Sequence, residues 1–332
     1  MLNNKSSYIM VALALMSATI IFSSCGGDDS TSGQQAGSPT NTNTNKGGNK
    51  QTSGNQNANV ITDDASVGSY EVPRLDSHYD YICHRLSNGD VNYVLEYNRE
   101  MMHSRWVAYT YNTRNAMKNA PNRTNAWSAD PYYDDQRQYQ LATDYFPGYN
   151  RGHLVGSAER YYSAEANEQT FYMTNMSPQL SAFNSDYWGE IEDKARDTWG
   201  RGVIDQKSTF YGGTLYVVKG GTISKPEYIK EYISVKNTQG QTVRMAVPRY
   251  FFMACLFVSA TGEAKAIGFW MEHKDYQLNT KDAAAMQSLR RSSVRTIDDL
   301  EQLTGLDFFC NLTDAVEDAV EAKCEISQWP GV

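Results

Sequence analysis

"TFYMTNMSPQLSAFNSDYWGEIEDKAR", residues 170–196, passes from an aromatic, β-branched run through Ser-Pro into a stretch with helical apolar spacing. The spacing predicts a strand over 170–176 and a helix over 185–200. Asn175, Asn184 and Glu192 lie nine and eight residues apart. On a helix, Asn184, Trp188 and Glu192 drift by about 40° per step of four, so they share one broad face. Glu192 sits about 12 Å along the axis from Asn184, with its side chain tilted back toward the N-terminus. That is too far to share a cation directly, but close enough for the carboxylate to hold a cation's waters. The competing reading is a solvated acidic helix whose inner face is made by Trp188, Ile191 and Trp199.

Twenty residues upstream, "YNRGHL" (149–154) follows the turn-like "DYFPG" (144–148). A histidine in such a run is, taken alone, more often a hydrogen-bonded structural residue than a catalyst. The five histidines (78, 84, 103, 153 and 273) show no metal-ligand spacing. The chain has no Cys-x-x-Cys, no His-Glu-x-x-His and no Gly-x-Ser-x-Gly, so zinc sites and a serine-hydrolase elbow lack sequence support.

Taken in order, "NRGH" (150–153), "TFYMTNMSPQ" (170–179), "FNSDYW" (183–188) and "EIED" (190–193) resemble the DNA/RNA non-specific endonuclease family, the ββα-metal nucleases. The resemblance takes in "WVAYTY" and "NRTNAWSADP" upstream, and "TLYVVKGGTI", "VPRYFFMACL", "AIGFWM" and "SSVRTIDDLEQLTGLDFF" downstream. It covers roughly residues 90–312. It implies Mg²⁺-dependent hydrolysis of phosphodiester bonds in DNA and RNA, with Mn²⁺ or another divalent cation as a substitute. His153 is then the general base, since a neutral imidazole accepts a proton near neutral pH. Asn184 is the single protein ligand of a Mg²⁺ that keeps most of its waters, and Glu192 orients those waters. Arg151 and Arg123 stabilise the charge of the transition state, and Asn175 positions the metal-binding loop or the substrate. Asn150 stands where the family carries Asp, and Arg114 competes with Arg123. A catalytically inactive, surface-tethered nucleic-acid-binding protein is the alternative; the intact His153, Asn184 and Glu192 argue against it.

The rest of the chain frames this reading. It has 332 residues, 40% of them apolar, and a net charge of −8, which argues against a protein that coats nucleic acid over a broad basic surface. An apolar run from Tyr8 to Phe22 after Lys5 is too short to span a bilayer and reads as a signal peptide, 1–24. It ends in small residues before Cys25 and resembles a lipoprotein signal. That implies a lipidated Cys25 and an extracytoplasmic protein, anchored to the outer membrane or cell surface or secreted. Residues 25–69, rich in Ser, Thr, Asn and Gly, read as a disordered tether, and 70–332 as the nuclease domain.

Strand-like runs at 91–98, 105–112, 214–220, 250–260 and 265–273, and a second helix at 296–305, do not alternate regularly. An α+β fold follows: a mixed, mainly antiparallel sheet flanked by helices, which the family resemblance extends with a ββα-metal motif. In an oxidising compartment the four remaining cysteines suggest bridges: Cys310–Cys324, worth about 3 kcal/mol by loop closure, and Cys83–Cys255, two residues in strand-like apolar runs that read equally well as buried free thiols.

Overall fold

Strands β1 (Asp80–Arg85), β2 (Val91–Asn98) and β3 (His103–Tyr111) form a meander and begin the main sheet. It continues through β6 (Thr214–Gly221), β9 (Tyr250–Val258), β10 (Ala264–Glu272) and the short β11 (Val294–Arg295). The seven strands are ordered β1-β2-β3-β6-β9-β10-β11, and each neighbouring pair is antiparallel. Two separate antiparallel pairs complete the strands: β4 (Asn150–His153) with β5 (Met176–Gln179), and β7 (Ile229–Lys236) with β8 (Thr242–Pro248). The computed structural model describes residues 54–61, 63–120, 122–133 and 146–332.

The sheet is covered on both faces, which explains why "YFFMACLFV" is apolar at nearly every position rather than alternating. Phe251, Met253, Cys255 and Phe257 of β9 join one core, with Trp188, Ile191, Ala195 and Trp199. Phe252, Ala254 and Leu256 join another, with Ile297, Leu300 and Phe308. After the short α1 (Ala164–Gln169), the first core is roofed by α2 (Trp188–Asp193), which π-helical turns at Phe183–Tyr187 and Lys194–Gly200 extend, and by α3 (Ala283–Ser293). The second is closed by α4 (Ile297–Thr304) and α5 (Asp314–Glu321). The expected α+β class with a mainly antiparallel sheet is what the chain adopts. In α4 the expected ends hold: Thr296 Oγ1 accepts from the Asp299 N–H (3.1 Å), and Gly305 stops the helix at φ 73°.

Three expectations need correction. The run 170–176 is not a strand: Met173–Asn175 is a 3₁₀ turn and the strand starts at Met176, because Asn175 is consumed by side-chain hydrogen bonds rather than a ladder. Nor does a tether extend to residue 69. Asn55, Asn57 and Asn59 donate to Cys310 O (2.6 Å), Glu317 Oε1 (2.7 Å) and Pro73 O (3.1 Å), so a polar segment with little to bury is held by amide hydrogen bonds. The signal peptide, Cys25 and the tether up to residue 53 lie outside the described residues. Finally, Cys83, Cys255, Cys310 and Cys324 are all free thiols. β1 and β9 are separated by three strands, roughly 19 Å at about 4.8 Å per strand, far beyond a disulfide's reach. Cys324 packs against the first core, whereas buried Cys310 sits beside Phe309 of the second and donates to Val72 O (3.6 Å).

Candidate active site

Residues two apart on a strand share a face, so β4 presents Arg151 and His153 on one side and Gly152 on the other. Gly152 is required there: a Cβ would overlap the buried Gln179 carboxamide of β5. Behind the pair, His103 is buried, with Nδ1 donating to Ser104 O (2.7 Å) and Nε2 accepting from Ser177 Oγ (2.7 Å). His273 is locked too: its Nε2 accepts from the Leu180 N–H (2.7 Å), which leaves Nδ1–H to donate to Pro248 O (2.8 Å). His84 bonds Asp130 (2.8 Å) and His78 bonds Asp76 (2.7 Å). Among the described residues, His153 is therefore the one histidine whose ring takes no hydrogen bond. Its Nε2 is shut from solvent without a partner, and the ring lies edge-on to Phe171 (4.9 Å) and 5.4 Å from Trp127.

Asn175 lies under this pair rather than in the open cleft. Its Oδ1 accepts from the Val155 N–H (2.8 Å), and its Nδ2 donates to Val155 O (3.0 Å) and Thr170 O (2.7 Å). With the Leu154 N–H on its carbonyl (2.9 Å), Asn175 fixes the backbone just beyond His153. The expected positioning role thus falls on the chain, not on a substrate.

A cleft of about 240 Å³ is lined by Arg123, Arg151, His153, Glu159, Tyr161, Asn184, Glu192 and Arg196, among others. Arg151 lies over the Trp127 ring (4.1 Å) and Arg123 over Phe171 (4.6 Å), so aromatic faces steer both guanidinium groups. Arg114 is elsewhere, near Asp90 (3.7 Å), and Arg123 is the one of the two that lines the cleft. Asn184 sits in the π-helical turn before α2; its N–H bonds Leu180 O (2.8 Å), and its carboxamide takes no partner among the described residues. The π turn shifts the register assumed for an ideal helix, yet Asn184 and Glu192 still reach one cleft.

Sequence reasoning missed the floor of the site. Lys219, on the same face of β6 as Leu215 and Val217, is fully buried and donates to Glu159 Oε2 (2.7 Å) and Glu192 Oε1 (2.6 Å). Glu159 also accepts from Tyr109 Oη and the Gly156 N–H, both at 2.6 Å. A lysine at an inward position of "TLYVVKGG" was the available signal, since an unpaired lysine does not stay there. Burial works to lower the Lys219 pKa, but the two carboxylates outweigh it and hold it above the ordinary value. Burial pushes Glu192 up to about 7, against the pull of Lys219 and with the push of Glu159. Burial drives His153 down to about 3, helped by the charges of Arg123, Lys219 and Arg151, so its imidazole is neutral at neutral pH.

An arginine-lined cleft around a neutral, unbonded imidazole is suited to a phosphodiester. Comparison with known proteins agrees: the DNA/RNA non-specific endonuclease pattern matches residues 86–315. The chain belongs to the DNA/RNA non-specific endonuclease family. A nuclease of Nostoc sp. is 26% identical to it over 235 residues, 70% of this chain and 76% of that protein. The mitochondrial nuclease of Saccharomyces cerevisiae is 26% identical over 249 residues, 73% of this chain and 71% of that one. The solved EndoG/EndoGI complex contains a chain with a TM-score of 0.52 and 20% identity, covering 76% of this chain and 95% of that chain, a likeness of fold. The protein is a hydrolase, a nuclease, and nucleic acid is its substrate class.

Proposed function

We propose that this nuclease is a Mg²⁺-dependent, sequence-non-specific endonuclease of DNA and RNA, with His153 as general base in a ββα-metal site formed by β4, β5 and the helix around α2. The observation that carries the reading is that His153, Arg151, Arg123, Asn184 and Glu192 line one cleft. The donor set fits a hard cation: the Asn184 carboxamide takes no other partner, and the Glu192 carboxylate is nearby to order waters. Asn184 would hold the ion directly and Glu192 through water. When bound, the cation supplies positive charge to the scissile phosphate and the leaving oxygen.

His153 takes a proton from the attacking water. Its depressed pKa keeps the ring unprotonated in the free enzyme, and an incoming phosphate raises its basicity by adding negative charge. Arg151 and Arg123, held over aromatic rings, meet the charge that builds on the phosphate oxygens. Glu159 and Lys219 hold Glu192 in place from below. Asn150, where the family carries Asp, is the first residue of β4 and falls on the Gly152 side of the strand.

The same reading includes export and lipidation at Cys25, supported by the apolar run ending in small residues before it. Supercoiled plasmid and a structured RNA, incubated with the protein in Mg²⁺ and in chelator, test the activity: cleavage of both in Mg²⁺ only is expected. A protein that binds both without cleaving either would establish the inactive binding protein instead.

A further inference from the structure

Away from the cleft, under the second core, three carboxylates meet. Asp298 stands in the first turn of α4, Glu301 one turn on, and Glu321 is the last residue of α5. One ligand oxygen from each lies within 4.8 Å of the other two. Two oxygens that each sit about 2.4 Å from a common Ca²⁺ are at most about 4.8 Å apart, so every pair of the three is within the span of one ion.

Glu321 supplies the second observation. The residue is 6% exposed, and its Oε1 is shut from solvent with no hydrogen-bond partner. The neighbouring acids are provided for: Glu317 and Asp307 accept from Asn57 Nδ2, and Glu301 Oε1 accepts from the Phe308 N–H (2.7 Å). No ion pair reaches Asp298, Glu301 or Glu321 among the described residues, and a carboxylate at the C-terminal end of α5 faces the negative pole of its own helix. A buried, unpartnered carboxylate in that position is costly unless a proton or a cation answers it.

We propose that Asp298, Glu301 and Glu321 form a second cation site, separate from the nuclease cleft, that takes Ca²⁺ and ties α5 to α4. Its ligands are all oxygen, and backbone carbonyls and water complete the shell of six to eight that Ca²⁺ takes.

The test is calorimetric titration of CaCl₂ into the chelator-stripped full chain, its Glu321→Gln variant and its Asp298→Asn variant, with thermal melts of each. The expected result is one Ca²⁺-binding event of the parent lost or weakened at least tenfold in both variants. Ca²⁺ should raise the melting temperature of the parent by more than that of either variant, with Mg²⁺-supported plasmid cleavage unchanged. Equal Ca²⁺ binding in all three proteins overturns the proposal. If Glu321→Gln fails to fold, the exposed Asp298→Asn decides by itself: parental Ca²⁺ affinity there overturns the site, and its tenfold loss supports it.

Discussion

Lys219→Met removes the ammonium between the buried Glu159 carboxylate and the half-buried Glu192 carboxylate while keeping the length of the stem. In the native protein Nζ is 2.7 Å from Glu159 and 2.6 Å from Glu192, and the lysine is fully buried. Breaking a buried ion pair by deleting one partner costs about 3–5 kcal/mol, because the charge left behind stays desolvated. Here two charges are left, but Glu159 keeps the Tyr109 hydroxyl and the Gly156 N–H, so Glu192 bears most of the loss.

Glu192 already sits near 7 with the ammonium beside it, and rises further without it. The defect is therefore pH-dependent in a definite direction. Near pH 5.5 Glu192 is protonated in parent and variant alike and most of the penalty is relieved; above pH 7 the parent ionises Glu192 beside the ammonium while the variant keeps its proton to higher pH, so the penalty grows with pH toward about 3–5 kcal/mol. Urea unfolding of parent and variant at pH 5.5 and 8.5 measures this. Plasmid cleavage should also fall, since the Glu192 carboxylate is no longer held. A stability difference below about 1 kcal/mol, or one that is the same at both pH values, would refute the argument that Lys219 is the buried counter-charge.

His153→Ala should lower the cleavage rate by roughly 10²–10⁴ with the melting curve unchanged, and wild-type turnover would make His153 structural. In Glu192→Gln, which removes the carboxyl that sits near 7, the acid limb of kcat/KM should fall well below pH 6.5, because His153 is depressed to about 3 in the free enzyme; a pH–rate profile shows it. Asn184→Ala should abolish the Mg²⁺ dependence of turnover while Glu192→Gln only weakens it, read from rate against Mg²⁺ concentration. His103 and His273 are buried neutral at about 4 against 6.5 in the unfolded chain, so the unfolded state binds more protons as pH falls. Stability should be full above 6.5 and decline by about 3 kcal/mol per group as pH drops toward 4, seen in urea midpoints across that range.

The residue types and their short-range order settled much of this protein in advance. Strand and helix periods are local, so five of the main strands, the helix after Asn184 and both ends of α4 were legible from a few neighbouring residues. The ordered motifs pointed to a nuclease, but the strand that puts Arg151 and His153 on one side, β4, was not among the runs read from the sequence.

What no local pattern carries is which strand lies beside which. Strand order placed Lys219 beneath Glu192, though 27 residues separate them. It also separated Cys83 from Cys255, where a count of cysteines suggested a bridge. The family resemblance left open whether Asn175 positions the metal-binding loop or the substrate, and only the tertiary structure shows its three hydrogen bonds bracing the backbone after His153. Residues 54–61 looked like tether because their composition has little to bury; Asn55, Asn57 and Asn59 found acceptors on the far end of the chain, and such long-range amide hydrogen bonds leave no trace in composition or period.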